Sequence, residues 1–235
     1  MFTKSAELYD LIYSTKDYKS EADTLRSILL SLNPQIQHIL DAACGTAEHH
    51  RFLTDKFEID GFDLNEDFIQ IAKSKNPGAR YFVANMVDFD LKKQYDAVVC
   101  LFSSIGYLKT VSNLYAAISN FRRHLTPDGV LVIEPWISPE DWNPGQVHLQ
   151  TYSSDDIKVC RMAYTRTVDQ MSLLDFEYLV GTADGIQKFD ERHELGLFDH
   201  QTITRVFTQC GLTCQLVKEG LTGRGLYIGT NMKRD

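Results

Sequence analysis

Two rhythms of apolar and polar residues divide the chain. Short apolar runs at residues 36–43, 57–62, 79–84, 95–102 and 130–133 look like strands buried on both faces of a parallel sheet. Helical spacing separates them: His50, Phe52, Leu53 and Phe57 fall on one side of a helix, and residues 66–75 and 114–125 read as two more. Ahead of the first run, residues 5–32 read as helices broken by the polar turn 14–17 and stopped at Asn33-Pro34. Residues 199–210 predict a closing helix, and 212–217 and 225–230 a closing pair of strands. A different rhythm fills residues 138–197. There 147–152, 158–168, 171–180 and 186–195 alternate polar and apolar, the period of antiparallel strands with one face covered. The pattern therefore predicts an α/β fold, a mostly parallel seven-stranded sheet, with an antiparallel β-layer inserted after the fifth strand. The division is residues 1–137 and 198–235 for the core and 138–197 for the layer.

The ligand chemistry starts at Asp41-Ala42-Ala43-Cys44-Gly45-Thr46, where small residues break the first strand. A glycine there lets the backbone turn sharply and approach a ligand closely. Eighteen positions later Asp63 ends the second strand, the place of a carboxylate that accepts hydrogen bonds from ribose hydroxyls. A dinucleotide site would need further glycines to hold a pyrophosphate at a helix N-terminus. Here Thr46, Ala47, Glu48 and His49 follow Gly45, and Glu48 sets an anion where another anion would bind. An uncharged or cationic ligand with an adenosine end fits better. The third strand ends on Asn85 and Met86, the first able to accept from an adenine amino group or to form a turn, the second to lie on the ring. The fourth strand ends on Phe102-Ser103-Ser104-Ile105-Gly106-Tyr107, the fifth on Glu134-Pro135-Trp136 after the turn 126–129. Tyr9, Tyr13 and Tyr18 are dense on the N-terminal segment, suited either to packing or to closing a cofactor mouth.

Composition narrows the class. At 235 residues and 43% hydrophobic the chain can bury one full core. The net charge of −8, without a Lys/Arg block, disfavours nucleic-acid partners, since nothing offers a phosphate-neutralising footprint. No apolar run approaches the ~20 residues of a membrane span, and the first residues show no signal peptide. The five scattered cysteines lack C-x-x-C spacing and read as reduced thiols, so a cytoplasmic protein without zinc or disulfides is expected. His49, His50, His193 and His200 read as surface or packing histidines.

The D-x-x-C-G-T turn followed by an acid resembles the S-adenosylmethionine site of class I methyltransferases. The segments AELYD (6–10), KDY (16–18), LDAACGT (40–46), MVDF (86–89), FSSIG (102–106), HLTPDGV (124–130), EPW (134–136) and GRGL (223–226) resemble, in order and spacing, the desosamine-type dTDP-aminosugar N,N-dimethyltransferases. The resemblance implies a Rossmann-like class I fold. It also implies methyl transfer from S-adenosylmethionine to the amine of a nucleotide-linked deoxyaminosugar, with the β-layer roofing the sugar nucleotide. On this reading Tyr9, Tyr18, Ala43, Cys44, Gly45, Thr46, Asp63, Leu64, Asn85, Met86 and Phe102 meet the cofactor. Tyr107, Trp136, Arg161 and Arg224 meet the substrate, with Arg166 a further candidate for its diphosphate. Tyr107 and Glu134 are candidate proton acceptors, no metal is expected, and a homodimer is a possible assembly. The chain departs from the family at Ala47, where a glycine is usual, at Asn85, where an acid is usual, and at Tyr107, where a histidine is usual. An ordinary tyrosine, with a pKa of about 10, hydrogen-bonds rather than accepts a proton at neutral pH. The departures keep open a methyltransferase for another small amine or hydroxyl acceptor, and a non-catalytic cofactor-binding regulator.

Overall fold

Residues 5–232 are described by the computed structural model. Its main sheet holds seven strands in the order β10-β11-β5-β4-β1-β2-β3. β1 (His38–Ala42) pairs in parallel with β2 (Glu58–Asp63) and β4 (Tyr95–Cys100), β2 with β3 (Arg80–Val83), and β4 with β5 (Leu125–Ile133). β11 (Leu226–Thr230) runs antiparallel to β5, and β10 (Gln215–Val217) antiparallel to β11. The central strands are apolar on both sides because helices cover both sides. Ile39, Ala97, Val99 and Val132 pack with Ala22, Leu25 and Leu29 of α2 (Tyr18–Leu32). Leu40, Val98 and Leu131 pack with Leu114 and Phe121 of α4 (Val111–Arg123) and Phe207 of α5 (His200–Gln209). The short α1 (Tyr9–Ile12) and α3 (Glu66–Lys75) complete the helices, and α2, α3, α4 and α5 are capped by Asp17, Asn65, Thr110 and Asp199.

Two expectations need correction. The helix expected after Gly45 is a single 3-10 piece, Glu48–Phe52. Its N-cap Ala47 is left-handed and the chain turns again at Leu53, so the segment is too short for a second helical turn. The turn at 126–129 lies inside β5. Leu125 pairs with Tyr95 and Val130 with Ala97, so residues 126–129 loop out opposite Asp96.

The inserted layer is a four-stranded antiparallel sheet ordered β6 (Val147–Ser153), β7 (Lys158–Val168), β8 (Met171–Thr182), β9 (Gly185–Gly196). Alternation sends Val159, Arg161, Ala163 and Thr165 of β7 inward and leaves Met162 and Tyr164 outward. β9 lies on the 3-10 helix Ser104–Leu108 that follows β4. Gly106 allows that approach: a Cβ there would stand 3.0 Å from Leu195 Cδ2 and 3.1 Å from Trp136 Cβ. The layer thereby roofs the carboxyl ends of β1, β2, β4 and β5.

Candidate active site

The sheet order reverses between β1 and β4, and open α/β sheets bind ligands in the crevice at such a switch point. The turn after β1 uses three left-handed residues, Ala43 (φ 59°), Gly45 (φ 56°) and Ala47 (φ 57°). A left-handed alanine costs roughly 1–2 kcal/mol. The Ala47 methyl is fully buried against Ile69, Ala72 and Tyr81, which offsets much of that cost, about 0.8 kcal/mol per methyl-sized group. This packing accounts for alanine where glycine is usual. Asp63 closes the turn: its Oδ2 accepts from the Gly45 N–H at 3.0 Å and its Oδ1 from the Asn65 N–H at 2.9 Å. Burial raises its pKa against those two bonds.

The N-terminal segment is fastened over this turn. The Thr46 hydroxyl donates to Asp10 Oδ1 at 2.7 Å, and Lys75 bridges Asp10 at 2.5 Å and Glu48 at 2.8 Å. Glu48, which argued against an anionic ligand, is thus neutralised by Lys75 and Arg51. Tyr9 packs on Phe68 and Tyr13, and Tyr13 meets Phe102 edge-on at 4.9 Å. Lys16, ion-paired with Glu21, holds its ammonium 4.8 Å from the Tyr18 ring and 4.6 Å from that of Phe102. Beneath the turn His50 bridges Asp41 (3.0 Å) and the Tyr81 hydroxyl (2.7 Å), and His49 bonds Glu21 at 2.9 Å. Both histidines are buried packing groups facing different partners. At the end of β3 the Asn85 amide oxygen accepts from the Val87 N–H at 3.1 Å, a turn role, beside the buried Met86.

The other end of the crevice is built from four segments. After β4, Phe102 and Ser103 are left-handed, at φ 51° and 62°. The Ser103 hydroxyl donates to Pro135 O at 2.7 Å and accepts from Arg224 Nη1 at 2.9 Å. The Arg224 guanidinium lies 5.4 Å above the Trp136 ring, whose Nε1–H donates to Ser172 Oγ at 2.8 Å. Arg161 is only 6% exposed. Its guanidinium stands 4.9 Å from the centre of Phe176, Nη2 bonds Gln150 and the Tyr152 hydroxyl, and Nε and Nη1 make no hydrogen bond among the described residues. The Tyr107 hydroxyl meets His193 Nδ1 at 2.6 Å. Burial holds the Tyr107 hydroxyl well above the ordinary tyrosine range, and burial lowers the pKa of His193 despite Glu191 beside it.

Glu134 requires correction as a proton acceptor. It is fully buried and does not face the crevice; its Oε2 accepts from the Phe102 N–H at 2.6 Å and its Oε1 from the Thr222 hydroxyl at 2.5 Å. It ties the loop after β4 to the loop that carries Arg224. Arg166 also leaves the site, pairing with Asp175 at 2.8 Å on the outer face. His124 and His200 bond Asn120 and Tyr227. Every other residue singled out for cofactor or substrate lines one cavity of about 1220 Å³ that runs from the glycine turn to the β-layer. Lys16, inside the KDY segment, and Phe68, Phe176 and His193 line it too, and the sequence singled out none of them as a site residue.

A general methyltransferase-domain model matches residues 39–129, the segment from β1 through the 126–129 loop. A dTDP-3-amino-3,6-dideoxy-alpha-D-glucopyranose N,N-dimethyltransferase from Streptomyces fradiae is 38% identical over 95% of this chain and 89% of its own length. The chain belongs to the dTDP-aminosugar N,N-dimethyltransferases. The solved structure of DesVI from Streptomyces venezuelae superposes with a TM-score of 0.92 at 34% identity, covering 98% of this chain and all of the other. CalS10 from Micromonospora echinaspora, an amino pentose methyltransferase solved with S-adenosylmethionine bound, gives 0.87 at 30% identity over 99% of this chain and 98% of its own. The fold is the class I methyltransferase fold, and the chain is an S-adenosylmethionine-dependent methyltransferase. The cofactor suits the cavity chemically: a buried carboxylate beside a tight turn can accept from ribose hydroxyls, and aromatic walls can take a purine and a cationic sulfonium. No helix among the described residues is long and apolar enough to cross a membrane.

Proposed function

We propose that the enzyme transfers methyl groups to the amine of a dTDP-linked 3-amino-3,6-dideoxyhexose, twice on one nitrogen. The observation that carries this reading is the continuous cavity, with Asp63 at its cofactor end and a buried, carboxylate-free Arg161 at the other. A buried guanidinium whose Nε and Nη1 lack hydrogen-bond partners among the described residues favours an anionic ligand, and a diphosphate answers both Arg161 and Arg224 with charge-assisted bonds. Trp136, held flat by Ser172 and Arg224, offers an apolar face to a deoxysugar or base.

When bound, S-adenosylmethionine supplies a methyl already activated on a sulfonium. Asp63 and the turn at Gly45 anchor the cofactor's ribose. Tyr9, Tyr13 and Phe102 wall the space between the two ends, and the β-layer covers the acceptor end. The protein's main contribution is to hold the acceptor amine in line with the methyl group, and orientation of this kind accounts for several powers of ten in rate. The unpaired thiols of the chain suit a cytoplasmic enzyme. The exposed Met162, Tyr164 and Leu179 on the outer face of the layer are where a homodimer would form.

Mass spectrometry of a reaction with S-adenosylmethionine and a dTDP-3-amino-3,6-dideoxyhexose tests the substrate. Two added methyl masses support the reading, and no addition with cofactor binding intact overturns it in favour of another small-molecule acceptor.

A further inference from the structure

The acceptor end contains a line of polar groups that runs from the cavity into the β-layer. Tyr107 is at its mouth, on the 3-10 helix after β4, with its hydroxyl 2.6 Å from Nδ1 of His193 on β9. Nε2 of His193 lies 3.7 Å from Glu191 Oε2. Glu191 is fixed in turn by Ser5, whose N–H donates to Oε1 at 3.0 Å and whose hydroxyl donates to Oε2 at 2.5 Å. His193 and Glu191 are 3% and 6% exposed, and Phe176 packs edge-on against the imidazole. Among the described residues, the other ionisable groups around the pair include Arg161 from β7, Tyr178 from β8, Tyr9 and Tyr13 from the N-terminal segment and Asp63 from the end of β2.

A primary amine on a sugar arrives largely protonated at neutral pH and cannot attack a methyl group until it loses that proton. Glu134 is turned away from the cavity, whereas Tyr107 lines its acceptor end with an imidazole behind it. We propose that Tyr107, His193 and Glu191 form a relay that removes the proton, resting on the reading that the acceptor is an amine. Tyr107 is the catalytic residue, because its oxygen meets the amine. The ammonium N–H bond breaks toward the Tyr107 oxygen while the tyrosine O–H proton passes to Nδ1 of His193. Tyrosine stays neutral, the imidazole becomes imidazolium, and the Glu191 carboxylate stabilises that charge. The freed nitrogen lone pair forms the N–CH₃ bond as the S–CH₃ bond breaks, its electron pair remaining on sulfur. The relay reverses when the product leaves and solvent enters. His193 is a positioning residue in this scheme: it acts on the amine only through Tyr107.

The burial effects agree with these assignments. A tyrosine with a raised pKa does not wait as a phenolate, so it serves as a conduit and not as a standing base. A histidine with a lowered pKa keeps the Nδ1 lone pair available near neutral pH.

The test is the rate of methylation as a function of pH for the wild type, Tyr107→Phe, His193→Asn and the double variant, over roughly pH 6.5–9.5, which runs from the histidine range toward that of alkylamines. Each single variant is expected to lose about 10²–10⁴-fold in kcat/KM near neutrality, the usual worth of general acid–base catalysis. The double variant should be no more than a few-fold worse than either, because both interrupt one path. The deficit should shrink as pH rises, because solvent then delivers the neutral amine, while the cofactor Kd stays at the wild-type value. A deficit that is constant across pH, or below about threefold, overturns the relay. If His193→Asn does not bind cofactor, Glu191→Gln carries the same test, with the same convergence at high pH expected. Failure of the wild type to methylate the aminosugar overturns the substrate reading and the relay together. Wild-type turnover without the pH-dependent deficit overturns the relay alone.

Discussion

Asp63 accepts the turn's N–H at Gly45 and lines the cavity, where we propose that it meets the cofactor's ribose. Asp63→Ala should weaken cofactor binding by about 1.5–3 kcal/mol, the range of a charged hydrogen bond, as read by calorimetry. An unchanged Kd would remove Asp63 from the ribose. At the other end, Arg161→Ala and Arg224→Ala should each raise KM for the nucleotide sugar tenfold or more and leave the cofactor Kd alone, since each removes a charge-assisted contact worth about 1.5–3 kcal/mol. Position 107 shows what a single residue type conceals. Tyrosine alone is a poor base, but the structure sets an imidazole behind it from a strand 86 positions away. The separation hid that pairing in the sequence: alternation placed residue 193 in a strand without saying what lay opposite its inward face. Glu134 misled for a related reason. A carboxylate at a strand end can face ligand or backbone, and only the fold shows it accepting from Phe102 and Thr222.

Among the elements, the contact between β9 and the 3-10 helix after β4 sets the distance from Tyr107 to His193. Gly106→Ala puts a methyl group about 3.0 Å from Leu195 and 3.1 Å from Trp136, so both side chains must give by a few tenths of an ångström. The variant should lose about 1–3 kcal/mol of stability to urea, the usual cost of overpacking. It should also slow methyl transfer more than it weakens cofactor binding, because the cofactor end lies on the other side of the crevice. The elements themselves were largely legible. Continuous apolar runs marked the parallel strands, strict alternation marked β6–β9, and the strand ends gave Asp63, Asn85, Phe102 and Trp136. Hydrophobic period could not separate one turn of 3-10 helix from a longer helix after Gly45, which the left-handed cap at Ala47 decides, nor show that residues 126–129 loop out of a strand instead of ending before it, which depends on pairing with β4.

For the molecule as a whole, burial of two neutral histidines sets a pH limit on stability. Burial lowers the pKa of His193 and of His124, so the unfolded chain binds protons that the folded chain refuses. A depressed folded pKa contributes stability that is full above the unfolded value of about 6.5 and is lost as pH falls through the folded values. The urea midpoint should therefore fall as pH drops from about 7 toward 5, and His124→Gln should flatten part of that slope. A midpoint flat over this window would contradict the burial of these groups as neutral species. The same fold that buries them stretches one cavity from the switch point of the main sheet to the underside of the inserted layer, and the account rests on that cavity bringing cofactor and aminosugar together. Magnetic resonance of the product made with isotopically labelled S-adenosylmethionine and a dTDP-3-amino-3,6-dideoxyhexose tests this most directly. Two labelled methyl groups on the sugar's amino nitrogen are expected. Label on oxygen, or no label on the sugar from an enzyme that binds its cofactor, would contradict it.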